Sequence, residues 1–178
     1  MTRKFLFCFP LRLGNLVFGY IVIIISLIVA GLSLEQLVLS IFERMIERDE
    51  ERFGNFQKLE TIFGEQKKEL VKTIILIYYL CYVFVGLLMF IFGVVFTSGV
   101  HKVSYRAIST FFCYSFVHIF LTIALIVWEG LTAGWIQLGL IVLSDVLLIV
   151  CLFSVKYLME AIRTGNIYCM PGEVLYQY

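Results

Sequence analysis

Charge is scarce in this chain. Asp, Glu, Lys and Arg make up 15% of its 178 residues, apolar residues make up 61%, and the mean hydropathy is +0.97. So few charges cannot cover a water-soluble domain of this size, which excludes that class. The net charge is only +1, so the basic field that nucleic-acid binding needs is missing as well. At this length the chain is one domain, residues 1–178.

Cysteine is missing where an exported loop would use it. None of Cys8, Cys81, Cys113, Cys151 and Cys169 falls within residues 35–72, the one sizeable segment between apolar runs, so no disulfide can form there. That excludes the tetraspanins, with their CCG motif and cysteine-rich loop, and the claudins, with their tryptophan and cysteine-pair signature. Asn15, Asn55 and Asn166 all lack the Ser or Thr two residues on that glycosylation needs. The two histidines, His101 and His118, are far apart in depth. There is no metal-ligand cluster, no phosphate-cradling glycine loop, and no nucleophile with a base and an orienting partner. The chain reads as a non-enzyme with no catalytic residue, no cofactor and no metal site.

What the chain has is apolar length. Four windows, residues 13–34, 71–97, 108–128 and 135–155, reach the roughly 18–20 residues a spanning helix requires. Runs such as FGYIVIIISLIVAGL and YVFVGLLMFIFGVVF are continuous; a closed β-barrel would alternate polar and apolar residues. The expected fold is all-α: an integral membrane four-helix bundle. Short connections make the second and third spans, and the third and fourth, antiparallel neighbours.

The stretch CFPLRLGNLVFGY leads into the first span. Arg3, Lys4 and Arg12 before an apolar run, with Val29-Ala30-Gly31 behind it, resemble the front of a secretory signal peptide. The apolar run continues through Leu37 and Phe42, however, which is too long for a cleaved segment. Retention as a membrane helix is the expectation. In LEQLVLSIFERMIERDEERF, Leu34, Leu37, Val38, Ile41, Met45 and Ile46 recur at three- and four-residue steps. Arg44–Glu47, Arg48–Glu51 and Asp49–Arg52 form opposite-charge pairs on that pattern. The first span is therefore expected to continue as an amphipathic helix outside the bilayer until Gly54, with FGEQKKELVK a second helical piece. Such a loop, residues 35–70, serves either as a solvated hairpin or as a partner-binding surface. With the N-terminus inside, each side of the membrane carries seven Lys and Arg residues, so the positive-inside rule does not orient the chain.

Ionisable residues inside spans are functional candidates, because lipid penalises them. Asp145 and His118 fall near the middle of the fourth and third windows, at matching distances from the turn between them. They form a candidate intramembrane polar pair, either fixing helix register or conducting protons or ions. Glu129 is expected at a membrane interface, with Trp128 and Trp135 as belt residues. Gly86 and Gly93, seven residues apart, put two small side chains on one helix face and mark a close helix contact; Gly93 with Thr97 makes a small-xxx-small pair. Cys8, just before the first span, is a candidate for S-acylation or a free cytosolic thiol. Cys81, Cys113 and Cys151 are expected to pack inside spans.

Three stretches resemble the lysosome-associated protein transmembrane (LAPTM) family and its short invertebrate tetraspan relatives, which include the Pasiflora proteins. These are CFPLRLGNLVFGY at the first span, FFCYSFVHIF in the third, and VKYLMEAIRTGNIY after the fourth. The likeness extends over about residues 5–170. It implies a four-span layout with both ends cytoplasmic, a tail covering 156–178, and either endolysosomal trafficking or, for the Pasiflora type, assembly of septate junctions at the plasma membrane. Partners are then the lipid bilayer, other membrane proteins and further copies of the chain. Two departures bear on this. The LAPTM proteins recruit ubiquitin ligases through PPxY motifs, and this chain has only Pro10 and Pro171. They also carry an Asp where His118 stands here.

Overall fold

The computed structural model describes residues 4–5, 9–46, 68–132 and 134–165. Cys8, Gly54, Cys169 and the charge pairs of the 35–70 loop lie outside the residues whose side chains are described. Two short strands, β1 (Lys4–Phe5) and β2 (Phe9–Pro10), pair antiparallel with Lys4 opposite Pro10. Four long helices follow: α1 (Leu11–Ile46), α2 (Lys68–His101), α3 (Tyr105–Thr132) and α4 (Trp135–Arg163). Each is long and apolar enough to cross a membrane. Helix is the form these runs must take, because lipid cannot satisfy backbone N–H and C=O groups and the helix satisfies them internally.

The helices outrun the expected windows. At about 1.5 Å per residue, α1 with 36 residues is about 54 Å long and α3 with 28 is about 42 Å, against a hydrocarbon core of about 30 Å. The first span thus continues past the bilayer to Ile46. At the other end of the chain, α4 carries helix on to Arg163, through the first part of the expected tail. Tyr78 pairs with Glu129, three residues before α3 ends, while α2 begins ten residues before Tyr78. Helix α2 therefore runs on about two turns beyond the α3–α4 turn, with α1 alongside it.

Each helix packs on its neighbour in sequence, most extensively α1 on α2, and α4 closes the ring against α1. The α1–α2 contact depends on small residues. A Cβ added to Gly86 would lie 3.2 Å from the backbone nitrogen of Ala30, and one on Gly93 would lie 3.2 Å from Val22 Cγ1. From the α1 side, a Cβ on Gly19 would overlap Thr97 Oγ1. Both glycines singled out from the sequence thus sit where the two backbones approach. Helix α1 also passes unbroken through the candidate cleavage site, and Ala30 within it is the partner of Gly86.

Two apolar clusters lie at opposite ends of the bundle. Near the α1 N-terminus, Phe18, Phe96 and Phe111 come from three helices, with the Phe96 and Phe111 rings 4.4 Å apart and Phe18 edge-on to both. Near the α1 C-terminus, Val71, Ile75, Tyr78, Tyr79 and Tyr82 of α2 gather Leu37, Leu125, Trp128 and Ile141. Cys81 and Cys113 correct the sequence reading: they are exposed on the outer faces of α2 and α3, and only Cys151 packs partly into a core. Tyr78, Tyr79, Tyr82 and Val83 occupy the inner face of α2, which turns position 81 outward.

The α2–α3 turn closes with the two hydrogen bonds of a Schellman motif, Ser104 N–H to Gly99 C=O (2.8 Å) and Val103 N–H to Val100 C=O (3.4 Å). Val103 holds the left-handed position, φ 54°, where a β-branched residue is strained. Val103→Gly is expected to stabilise the protein by about 1 kcal/mol, read as a higher thermal midpoint in detergent. Gly86→Leu is expected to destabilise it by about 1–3 kcal/mol or more. Gly139→Leu should be tolerated in the same assay, since a Cβ there meets nothing within 4 Å.

Candidate functional site

The inner face of α3 carries the bundle's polar seam. Its buried positions are Ile108, Phe111, Tyr114, Ser115, His118, Thr122, Glu129 and Thr132, at alternating three- and four-residue steps apart from Tyr114 and one partly buried position, Leu125. The first two are apolar and belong to the phenylalanine cluster; from Tyr114 on, every fully buried residue carries a polar group. Its hydrogen-bond partners come from α2 and α4, so the seam is built from side chains far apart in sequence.

At the α1 end, Asn15 is fully buried and donates through Nδ2 to the Leu11 carbonyl (2.7 Å) and to Ser154 Oγ on α4 (3.2 Å). That bond ties the first helix to the last. Close by, Arg12 Nη2 donates to the carbonyl of His101 (3.0 Å), the final residue of α2, and satisfies one of the carbonyls a helix end leaves open. Tyr20 Oη lies 3.1 Å from His101 Nε2. The CFPLRLGNLVFGY stretch is therefore a clamp on two other helices as well as the start of α1.

In mid-bundle, Thr122 Oγ1 lies 2.7 Å from Asp145 Oδ2, joining α3 to α4. The same hydroxyl lies 2.9 Å from the Ile119 carbonyl and 3.2 Å from that of His118. Its single proton serves one acceptor at a time. An ionised Asp145 competes with the helix carbonyls for it, whereas a protonated Asp145 donates to Thr122 and leaves the threonine proton for Ile119. Asp145 is 7% exposed, and its Oδ1 is buried without a hydrogen-bond partner. His118, one turn before Thr122 and also buried, has Nδ1 3.4 Å from Tyr114 Oη. No hydrogen bond joins His118 to Asp145 among the described residues. The expected polar pair is thus replaced by Thr122–Asp145, because the pairing of α3 with α4 sets residue 122, not 118, opposite 145. The sequence held the signal in the threonine at i+4 from His118.

The third station adds to an expectation. Glu129, expected at a membrane interface, is buried inside the bundle, 1% exposed. Its Oε1 accepts the hydroxyl protons of both Tyr78 (2.6 Å) and Tyr82 (2.7 Å) from α2, short bonds within the ordinary O–H···O range. Gly134 leaves room on the other side, since a Cβ there would overlap Glu129 Oε2. Two tyrosines one turn apart on α2 form this cradle, which a window of hydropathy on α3 alone does not reveal. Trp128 is also drawn inward, its ring 6.2 Å from Tyr78 and its Nε1 buried without a partner. Trp135 stays exposed, as a belt residue does.

Among the described residues, no three of His, Cys, Asp and Glu stand together as metal ligands would. Comparison of the chain with protein-family models, curated proteins and solved structures returns no match. Fold and interior together define a class: this is an integral membrane protein of four helical spans, a tetraspan, whose helices are tied by buried hydrogen bonds.

Tyr78→Phe and Tyr82→Phe are each expected to lower stability by about 0.6–1.7 kcal/mol, the range of hydrogen bonds between membrane helices. The double variant should lose more than either, because it leaves Glu129 buried with neither phenol. Gly134→Ala should destabilise through the same carboxylate. Equilibrium unfolding in mixed micelles checks all four, and unchanged midpoints would remove Glu129 from its role as a helix tie.

Proposed function

We propose that this chain is a non-enzymatic tetraspan protein that acts through lateral contacts with other membrane proteins, in the assembly of barrier-forming septate junctions, with both termini cytoplasmic. The observation that carries the reading is how its buried polar groups are used. Asn15 with Ser154, Thr122 with Asp145, and Tyr78 and Tyr82 with Glu129 each connect two helices of the same bundle. Polar groups engaged in this way make a stable membrane-embedded frame. The outer faces offer large apolar side chains such as Phe120, Leu131, Ile136 and Phe153 to lipid or to neighbouring proteins. The α1–α2 pair, continuing beyond the α3–α4 turn, supplies a surface outside the hydrocarbon core. The resemblance of the first, third and fourth spans to Pasiflora-type proteins supports the junction as the setting.

A second reading, a small oligomeric channel or transporter, is favoured by one observation: Asp145 Oδ1 is buried and unpartnered. Asp145→Asn keeps the side-chain shape and an oxygen for Thr122 while removing the ionisable group. In the junction reading this variant assembles and localises normally. Loss of an ion flux that the native protein supports in proteoliposomes would favour the pore. Placement of the tagged protein in polarised epithelium is the primary test, with concentration at lateral junctions and barrier loss on depletion as the expected result. Restriction to lysosomes would overturn the junction reading in favour of a LAPTM-type trafficking adaptor.

A further inference from the structure

The α2–α3 elbow is shaped by small residues. At Gly99 the two helices come so close that an added Cβ would lie 2.7 Å from the Cβ of Ala107. The flanking small side chains leave an open trough of about 340 Å³, near the lower end of the range for ligand sites. Its floor is apolar, formed by Val94, Val95, Gly99 and Ala107. Its other end is polar, formed by Ser98, Lys102 and Ser104, where α2 stops and the chain turns. Apolar floor and cationic rim therefore follow the order of a lipid standing in its leaflet, with chain toward the mid-plane and headgroup at the surface.

Charge selects the headgroup. Lys102 is exposed, and among the described residues no carboxylate pairs with it. At this end of the bundle the described side chains include Arg12, Lys102, Arg106, Lys156 and Arg163, against Glu160 alone. Clustered Lys and Arg at a membrane surface attract anionic lipids, and two neighbouring serine hydroxyls can donate to phosphate oxygens.

We propose that the α2–α3 elbow binds one anionic phospholipid. An acyl chain lies on Val94, Val95 and Ala107, and the Lys102 ammonium pairs with the phosphate beside Ser98 and Ser104. The site needs no rearrangement of the bundle, because the Schellman turn already sets Lys102 at the rim.

Native mass spectrometry of the full chain in mild detergent, titrated with phosphatidylserine or phosphatidylcholine, tests this. One phosphatidylserine retained per chain in preference to phosphatidylcholine is the expected result. Lys102→Ala should reduce that preference roughly fivefold, the effect of one surface cation, and Lys102→Arg should keep it. Ala107→Phe, which fills the floor without touching charge, should lower retention of both lipids. Lys156→Ala, on α4, should change nothing. Glycerophosphoserine, the headgroup without chains, should not be retained. Equal retention of the two phospholipids by the native protein would overturn the site. So would an unchanged preference in Lys102→Ala, or an equal loss in Lys156→Ala, which marks a diffuse surface potential instead. Size-exclusion profiles identify any variant that fails to fold; in that event Lys102→Gln, tested for the same loss, decides.

Discussion

A polar group inside a bilayer has no water to turn to, so its favourable partners lie on its own or a neighbouring helix. That constraint organises the bundle. Helices in lipid gain little from burying apolar side chains against one another, since lipid tails are equally apolar. What holds them in one arrangement is close contact and hydrogen bonding between specific residues. Here the hydrogen bonds fall at three levels along α3 and α1, and together they connect α1 to α4, α4 to α3, and α3 to α2. The remaining side of the ring, α1 on α2, is closed by backbone proximity at Gly19, Gly86 and Gly93, with Arg12 and Tyr20 bonding His101 at its end.

The two mechanisms are complementary in place as well as in kind. Where glycine and alanine let backbones approach, dispersion contacts accumulate along the helices. Further along α3, where it faces α2 and α4 through larger side chains, carboxylates and hydroxyls make the connections. The apolar clusters at either end, one of phenylalanines and one of tyrosines with Trp128, enclose the mid-bundle station of His118, Thr122 and Asp145. A carboxylate in that setting has few alternatives to its one partner, which gives Asp145 a sharper consequence for register than a surface aspartate has.

Much of this was legible along the chain. Unbroken apolar runs specify helices and their number, because spanning lipid demands backbone self-sufficiency over about 20 residues. The periodic pattern after Leu34 reported that α1 continues outward, and the seven-residue spacing of Gly86 and Gly93 reported a tight contact. His118 and Asp145 stood out as expensive residues in apolar surroundings. What the chain does not display has one cause. The burial of Glu129, near a window's end, depends on Tyr78 and Tyr82, about fifty residues earlier in the chain. Cys81 and Cys113 stand exposed because the neighbouring helices set which face of a helix points inward.

By itself, then, the sequence determined the membrane, the four spans, the helical extension and the kinds of residue that must be reconciled with lipid. These follow from local composition and period, which act over one helix at a time. Only the tertiary structure decided which of those residues meet: Thr122 instead of His118 for Asp145, two tyrosines for Glu129, Ser154 for Asn15, and Ala30 for Gly86. Pairing across helices depends on their relative rotation and axial shift. Those are set by the fit of all four helices at once, a quantity that no single segment contains.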